Sequence, residues 1–147
     1  MKEKFYGIIG KPLSHSLSPD LHNYWFKKYK IPANYSLIEI ESNEIEKIIE
    51  KIRKKKLHGI NITVPYKQLV IPFLDLIVDD AKETLSVNTI SLNEEGKVVG
   101  NNTDVHGLEY GFLNKLNNQN PELNKVLILG AGGAAPSVVQ ALLKKGI

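Results

Sequence analysis

Between His58 and Lys67 the chain reads Gly-Ile-Asn-Ile-Thr-Val-Pro-Tyr, and this stretch narrows the possible folds more than any other. Ile60, Ile62 and Val64 alternate with the polar Asn61 and Thr63, the period-two pattern of a strand. Pro65 ends that strand, because it has no N–H for a ladder and fixes its own φ. One strand end therefore carries an amide, a hydroxyl and, just past the turn, the Lys67 ammonium. Polar groups gathered at the end of an apolar strand mark the ligand edge of an open α/β sheet. Taken alone, the heptapeptide Asn61–Lys67 reads equally well as a plain strand-to-helix turn with a solvated lysine.

The rest of the chain supplies the alternation that such a sheet needs. Phe5–Gly10 reads as a buried first strand; Pro12 breaks it, and a loop runs from Ser14 to Pro19. Ser18 is expected as an N-cap, with Pro19 at the first helical position, for a helix to about Lys30 that buries Leu21, Trp25 and Tyr29. Tyr35–Ile40 is a second strand. Asn43 and Glu46 form a capping box before the stripe Ile45, Ile48, Ile49 and Ile52. The apolar run Leu69–Val78, broken by Pro72, predicts two short helices ending near Glu83. Val87–Leu92 and Lys97–Val99 are strands joined by a hairpin turn at Asn93–Gly96, and a helix capped by Thr103 or Asp104 reaches about Leu116. Asn117–Pro121 is a polar linker; Lys125–Leu129 is a strand, and Ala134–Lys145 a helix. Strands alternating with helices predict an α/β fold with a mostly parallel sheet flanked by helices.

Charge raises the question of nucleic acid, since the formal net charge is +3 and the pI about 9.0. Of the 19 basic residues, however, only Arg53 is an arginine, the usual reader of phosphates and guanine edges. The lysines are scattered among glutamates, which describes a solvated surface, so no nucleic-acid partner is expected. With no cysteine, disulfide and thiolate chemistry are excluded. No window is apolar enough to span a membrane and the first residues hold no signal-peptide core, so a cytoplasmic protein without a membrane partner is expected.

Four further groups carry chemistry. Ser14 and Ser16 lie two apart in the loop before a helix N-terminus, where hydroxyls suit a small anion. Lys67 and Asp104 supply an amine and a carboxylate, groups able to take or give the proton of an alcohol. Burial of the lysine would lower its pKa and a nearby carboxylate would raise it, and the sequence leaves the net sign open. Asn61, Thr63 and Asn88 offer further hydrogen-bond donors and acceptors near the same strand end. Gly130-Ala131-Gly132-Gly133-Ala134-Ala135 fits G-x-G-x-x-A between an apolar strand and a helix, a seat for a dinucleotide pyrophosphate.

In order and spacing, Ser14–Pro19, Asn61–Lys67, Ser86–Thr89, Gly100–Asp104 and Gly130–Ala135 resemble shikimate dehydrogenase from about Tyr6 to the last residue. The resemblance implies reversible, NADP-dependent reduction of 3-dehydroshikimate to shikimate in aromatic amino acid biosynthesis. It implies that Ser14 and Ser16 hold the shikimate carboxylate and that Lys67 is the general acid/base. Asp104 then bonds both Lys67 and a substrate hydroxyl, Thr63 and Asn88 are substrate ligands, and Asn61 either binds substrate or orients its neighbours. Gly130, Ala131, Gly132, Gly133 and Ala134 would hold the cofactor, with Asp79 near it, and no metal is implied. The implied organisation is a substrate-binding and catalytic domain over 1–103, a linking helix and linker over 104–124, and the first β-α unit of a Rossmann domain over 125–147.

Three residues depart from the family pattern. Leu85 and Ser86 stand where Gly-Ala is usual, and Val105 where glycine is usual; bulk beside Asp104 would narrow the substrate pocket or tilt the helix. A quinate/shikimate dehydrogenase of relaxed specificity is therefore one alternative, and a non-catalytic ring-acid sensor another. Only 12 residues follow Ala135, fewer than the roughly 20 to a ribose-reading residue. A fragment inactive on its own is expected, homodimeric or self-associating along the edge of Lys125–Leu129.

Overall fold

The structure, a computed structural model, describes residues 3–119 and 125–147. Six strands make one sheet: β1 (Lys4–Gly10), β2 (Ala33–Glu39), β3 (Gly59–Ile62), β4 (Leu76–Ile77), β5 (Thr89–Leu92) and β6 (Val98–Asn101). Their order is β2-β1-β3-β5-β6-β4. β1 runs parallel to β2 and β3, and β4 parallel to β6, while β5 is antiparallel to both its neighbours. The α/β class and the mostly parallel sheet follow the expectation. The antiparallel member enters through the hairpin, where Gly96 takes φ +76° and the Asn93 side chain accepts from Lys97 N.

Helix α1 covers Ser18–Lys28 and α2 covers Ile45–Arg53. A nine-residue helix is marginal alone in water, so α2 depends on what its apolar stripe meets. Ile45, Ile48, Ile49 and Ile52 are all buried, and they share one core with Ile9, Ile60, Ile62, Ile90 and Val98 of the sheet and with Val87 just before β5. Each such side chain contributes about 1.5–3 kcal/mol of transfer free energy. Because Ile60 and Ile62 point to α2, the pleat turns Asn61 to the opposite face.

That opposite face meets α1 only at its β1–β2 end, through Phe26 beside Tyr6, Ile8 and Tyr35. Leu21, Trp25 and Tyr29 are exposed rather than buried, because His22, Asn23 and Phe26 face the sheet in their place. The periodicity was right for a helix, yet it did not say which stripe has a partner. Leu17, not Ser18, stands at the N-cap, and the capping box of α2 is formed by Glu41 and Glu44 around a 3-10 turn rather than by Asn43 and Glu46.

The two helices expected over Leu69–Glu83 are instead a 3-10 turn at Ile71–Phe73, the short strand β4, and α3 (Asp80–Thr84). Backbone bonds from Asp75 N to Val98 O and from Val78 N to Gly100 O draw this segment onto β6. The next helix is α4 (Asp104–Leu108), continuing through a π-helical turn at Glu109–Leu113 into α5 (Asn114–Gln119). Helix α6 spans Ala135–Lys144. Val105, Leu113, Ala141 and Leu142 form a small separate core between these helices. Of the expected linker Asn117–Pro121, Asn120 and Pro121 lie outside the described residues.

The expected strand Lys125–Leu129 is not a strand. Leu127 and Leu129 are 83% and 89% exposed, and Ile128 alone of the run packs into the α4–α6 core. No strand among the described residues lies alongside to satisfy its ladder, and an apolar sequence without a partner does not make a sheet. No helix among the described residues is long and apolar enough to cross a membrane.

Candidate active site

The C-terminal ends of β1 and β3 lie side by side, tied by Thr63 N to Ile9 O and Lys11 N to Val64 O. The Ser14–Ser16 loop therefore leaves the sheet beside Thr63. Gly10 makes this approach possible: a Cβ there would run into the Thr63 methyl, and would meet Leu13 Cδ2 and Val64 O at 2.9 Å. Thr63 uses its backbone N–H and C=O within the fold, and the hydroxyl of this half-buried residue makes no hydrogen bond among the described residues.

Past the proline, the buried Tyr66 anchors the turn that carries Lys67: its hydroxyl donates to Ile40 O at 2.6 Å. Lys67 O then accepts from Val87 N at 2.8 Å, which sets the following Asn88 against β3 and β6. Lys67 Nζ donates to Asp104 Oδ2 at 2.6 Å; the two side chains are 12% and 34% exposed. Asp104 opens α4, the element after β6, so two residues 37 apart meet on one sheet edge. The Lys67–Asp104 pair expected from the sequence is thus formed.

Asn88 locks the carboxylate. Its Nδ2 donates to Asp104 Oδ1 at 2.8 Å and to Thr103 Oγ1 at 2.9 Å. Its Oδ1 accepts from Thr103 N and from Thr89 Oγ1, both at 3.0 Å. The carboxamide is engaged at both ends by the protein, so it orients Asp104 and would contact a ligand only by yielding one of these bonds. The network continues away from the edge: Asn61 Nδ2 donates to Thr89 Oγ1 at 3.2 Å, and Tyr35 donates to Asn61 Oδ1 at 2.7 Å. Both ends of the Asn61 amide are therefore engaged within the protein. Burial pushes the Tyr35 hydroxyl up to about 12.

Ser14 is exposed and Ser16 half-buried, its Oγ 3.4 Å from Ser18 N. Neither hydrogen-bonds to the lysine–carboxylate pair among the described residues. Asp79, at φ +49°, is exposed before α3, and its neighbour Asp80 pairs with Lys144 of α6 at 2.5 Å. No hydrogen bond among the described residues joins Asp79 to the glycine loop.

The glycine loop does reach the site. A Cβ on Gly133 would lie 3.6 Å from Lys67 Cδ, so the loop packs on the lysine stem. Gly130 holds φ +107°, and around Gly130 and Gly132 a Cβ would meet nothing. No side chain caps the start of α6. In the first turn Ala135 N and Ser137 N already donate to Gly132 O and Ala134 O, and Pro136 has no N–H, so a pyrophosphate would be met by the loop itself, at Gly130, Ala131, Gly132, Gly133 and Ala134, where the glycines border open space. A cavity of about 400 Å³ opens here, walled by Lys67, Thr103, Asp104, Gly107, Ala134 and Ser137. A second cavity, about 270 Å³ and lined by Tyr6, His22, Tyr35, His58 and Asn61, lies under α1 and contains neither Lys67 nor Asp104.

The three departures have different surroundings. Val105 is fully buried in the α4–α6 core, and Leu85 is exposed in a left-handed turn at φ +47°. Ser86 is buried and donates to Gly133 O at 3.0 Å. Tyr35 and Tyr66 carry no site role in the sequence reading, and Thr103 only that of a helix cap. Their only local signal was position inside the motifs or on a strand, since their partners come from distant segments.

The sequence profile of the shikimate dehydrogenase substrate binding domain matches residues 8–90. The chain belongs to the shikimate dehydrogenase family. A shikimate dehydrogenase (NADP(+)) of Pelagibacter ubique (strain HTCC1062) is 49% identical over 144 residues, covering 98% of this chain and 53% of that protein. The crystal structure of shikimate dehydrogenase 1 from Peptoclostridium difficile superposes with a TM-score of 0.87 at 37% identity, over 98% of this chain and 52% of that one. Shikimate 5-dehydrogenase from Listeria monocytogenes, in complex with shikimate and NAD, gives a TM-score of 0.80 at 31% identity, over 96% of this chain and 48% of that one. The chain thus spans about half the length of the family members it matches.

Proposed function

We propose that this chain supplies the substrate-binding and acid–base half of a cytoplasmic, NADP-dependent shikimate dehydrogenase, which interconverts 3-dehydroshikimate and shikimate. The observation that carries the reading is the Lys67–Asp104 pair at 2.6 Å, held by Asn88 on the sheet edge where the Ser14–Ser16 loop leaves. Ser14 and Ser16 take the ring carboxylate, and Thr63 with Asp104 the ring hydroxyls. As the alcohol is oxidised, neutral Lys67 takes the hydroxyl proton; in the reverse direction its ammonium gives that proton to the carbonyl oxygen. Asp104 holds Nζ in line for both. NADP supplies the hydride acceptor and donor when bound, and Gly130–Ala134 would seat its pyrophosphate. The relatives support this cofactor by name, although the Listeria complex carries NAD. Domains over 1–103 and 125–147, joined by 104–124, complete the reading.

Two alternatives weaken. Relaxed specificity toward quinate rested on bulk at Leu85, Ser86 and Val105 that narrows the pocket or tilts the helix; none of the three lines the cavity beside the pair, and Val105 is buried in α4 away from it. A sensor has no use for a proton-transfer pair. The test is calorimetric titration of the chain with shikimate and with quinate. Shikimate should bind at millimolar concentration and quinate more weakly. Ser14→Ala and Ser16→Ala should each weaken shikimate binding by about 10- to 100-fold, because hydrogen bonds to charged groups are worth roughly 1.5–3 kcal/mol. Absence of shikimate binding, or serine variants that bind as wild type, would reject the assignment.

A further inference from the structure

Between the acid–base pair and the glycine loop lies a buried polar knot to which the reaction above assigns nothing. Its centre is Asn102, 3% exposed. The carboxamide is used at both ends. Oδ1 accepts from Asp104 N at 2.9 Å and Val105 N at 3.4 Å, closing the first turn of α4. Nδ2 donates to Ser86 O and Ser137 Oγ, each at 2.8 Å, and lies 3.1 Å from Thr84 Oγ1. Ser137 belongs to the first turn of α6, and Ser86 in turn donates to Gly133 O.

The amide cannot be turned over without cost. Backbone N–H groups sit at one end and a backbone C=O at the other, so a flip would set donor against donor and acceptor against acceptor. Its oxygen thus fixes the start of the helix that presents Asp104 to Lys67. Its nitrogen fixes the helix whose glycine loop packs on the Lys67 stem. Resting on the shikimate dehydrogenase reading for its chemical meaning, we infer that Asn102 is a positioning residue: one carboxamide sets Asp104 against Lys67 and seats the glycine-loop helix beside them. Hydride transfer rewards such coupling, since reacting groups displaced by about 1 Å lose on the order of 100-fold in rate.

The two ends can be separated by substitution. Asn102→Ala removes both. Asn102→Ser keeps an oxygen of comparable capping strength but is too short to span to Ser137. Ser137→Ala removes only the α6 side. Each variant of the 147-residue chain is followed by amide hydrogen exchange and by titration with shikimate. For Asn102→Ala, exchange should rise about tenfold at Asp104 and Val105 and across Ala135–Val138, and shikimate affinity should fall about tenfold. Asn102→Ser should restore the Asp104 and Val105 protection and shikimate affinity to within about threefold of wild type, leaving α6 fast-exchanging. Ser137→Ala should loosen α6 alone.

A folded Asn102→Ala chain with wild-type exchange at Asp104 overturns the inference. So does Asn102→Ser behaving like Asn102→Ala at both ends, because general destabilisation would not distinguish them. If wild type itself fails to bind shikimate, the functional reading falls, and the exchange pattern still decides whether Asn102 holds both helices.

Discussion

Asymmetric burial of the Lys67–Asp104 pair makes a prediction about which partner is harder to remove. Asp104→Asn leaves an ammonium on a side chain only 12% exposed, facing a neutral amide. It loses one charge-assisted hydrogen bond and retains a poorly solvated charge, a cost of about 2–4 kcal/mol. Lys67→Met keeps the aliphatic stem against Gly133 and leaves a carboxylate that is 34% exposed and still bonded by Asn88 at 2.8 Å. Discounted for that solvation, its cost is about 1–2 kcal/mol. Urea unfolding of wild type, both single variants and the double variant at pH 7 closes a cycle, with m-values checked for constancy. The expected coupling is about 1–2 kcal/mol, and it should fall by less than half between 0.05 and 0.5 M salt because the pair is screened little. If Lys67→Met costs as much as Asp104→Asn, the burial argument is wrong.

Two further outcomes follow from the core and from Tyr35. Burial raises the folded pKa of Tyr35 to about 12 against 10.0 for the free group, so its neutral form is favoured in the native state. Stability from this source is complete below pH 10 and is lost as pH rises toward 12; the wild-type urea midpoint should therefore fall more steeply over that window than that of Tyr35→Phe, and parallel curves would contradict it. Ile52→Ala, at a fully buried position of α2, should lower stability by about 2–5 kcal/mol, measured by the same unfolding assay, and a loss under 1 kcal/mol would mean that α2 is not pinned to the sheet as described.

Local chemistry in the sequence determined much of this protein. The isoleucine stripe of α2, the alternation of β3 (which stops at Ile62, short of the expected end at Pro65), the Asn93–Gly96 hairpin and the α6 helix after its glycines depend on residues within a turn or two of one another. The family resemblance implied that Lys67 and Asp104 meet, and in the structure Nζ lies 2.6 Å from Oδ2. Tertiary structure alone decided which surfaces find partners. Leu21, Trp25 and Tyr29 have helical spacing but face solvent, and Lys125–Leu129 has the composition of a strand without a neighbouring strand to pair with. It also decided what the asparagines do. Asn61, Asn88 and Asn102 all read as polar residues near a site, yet each amide is oriented by groups from segments distant in the chain. A helix or turn signal is written in neighbouring residues, whereas a buried carboxamide takes its role from whichever donors and acceptors the fold brings to its two ends.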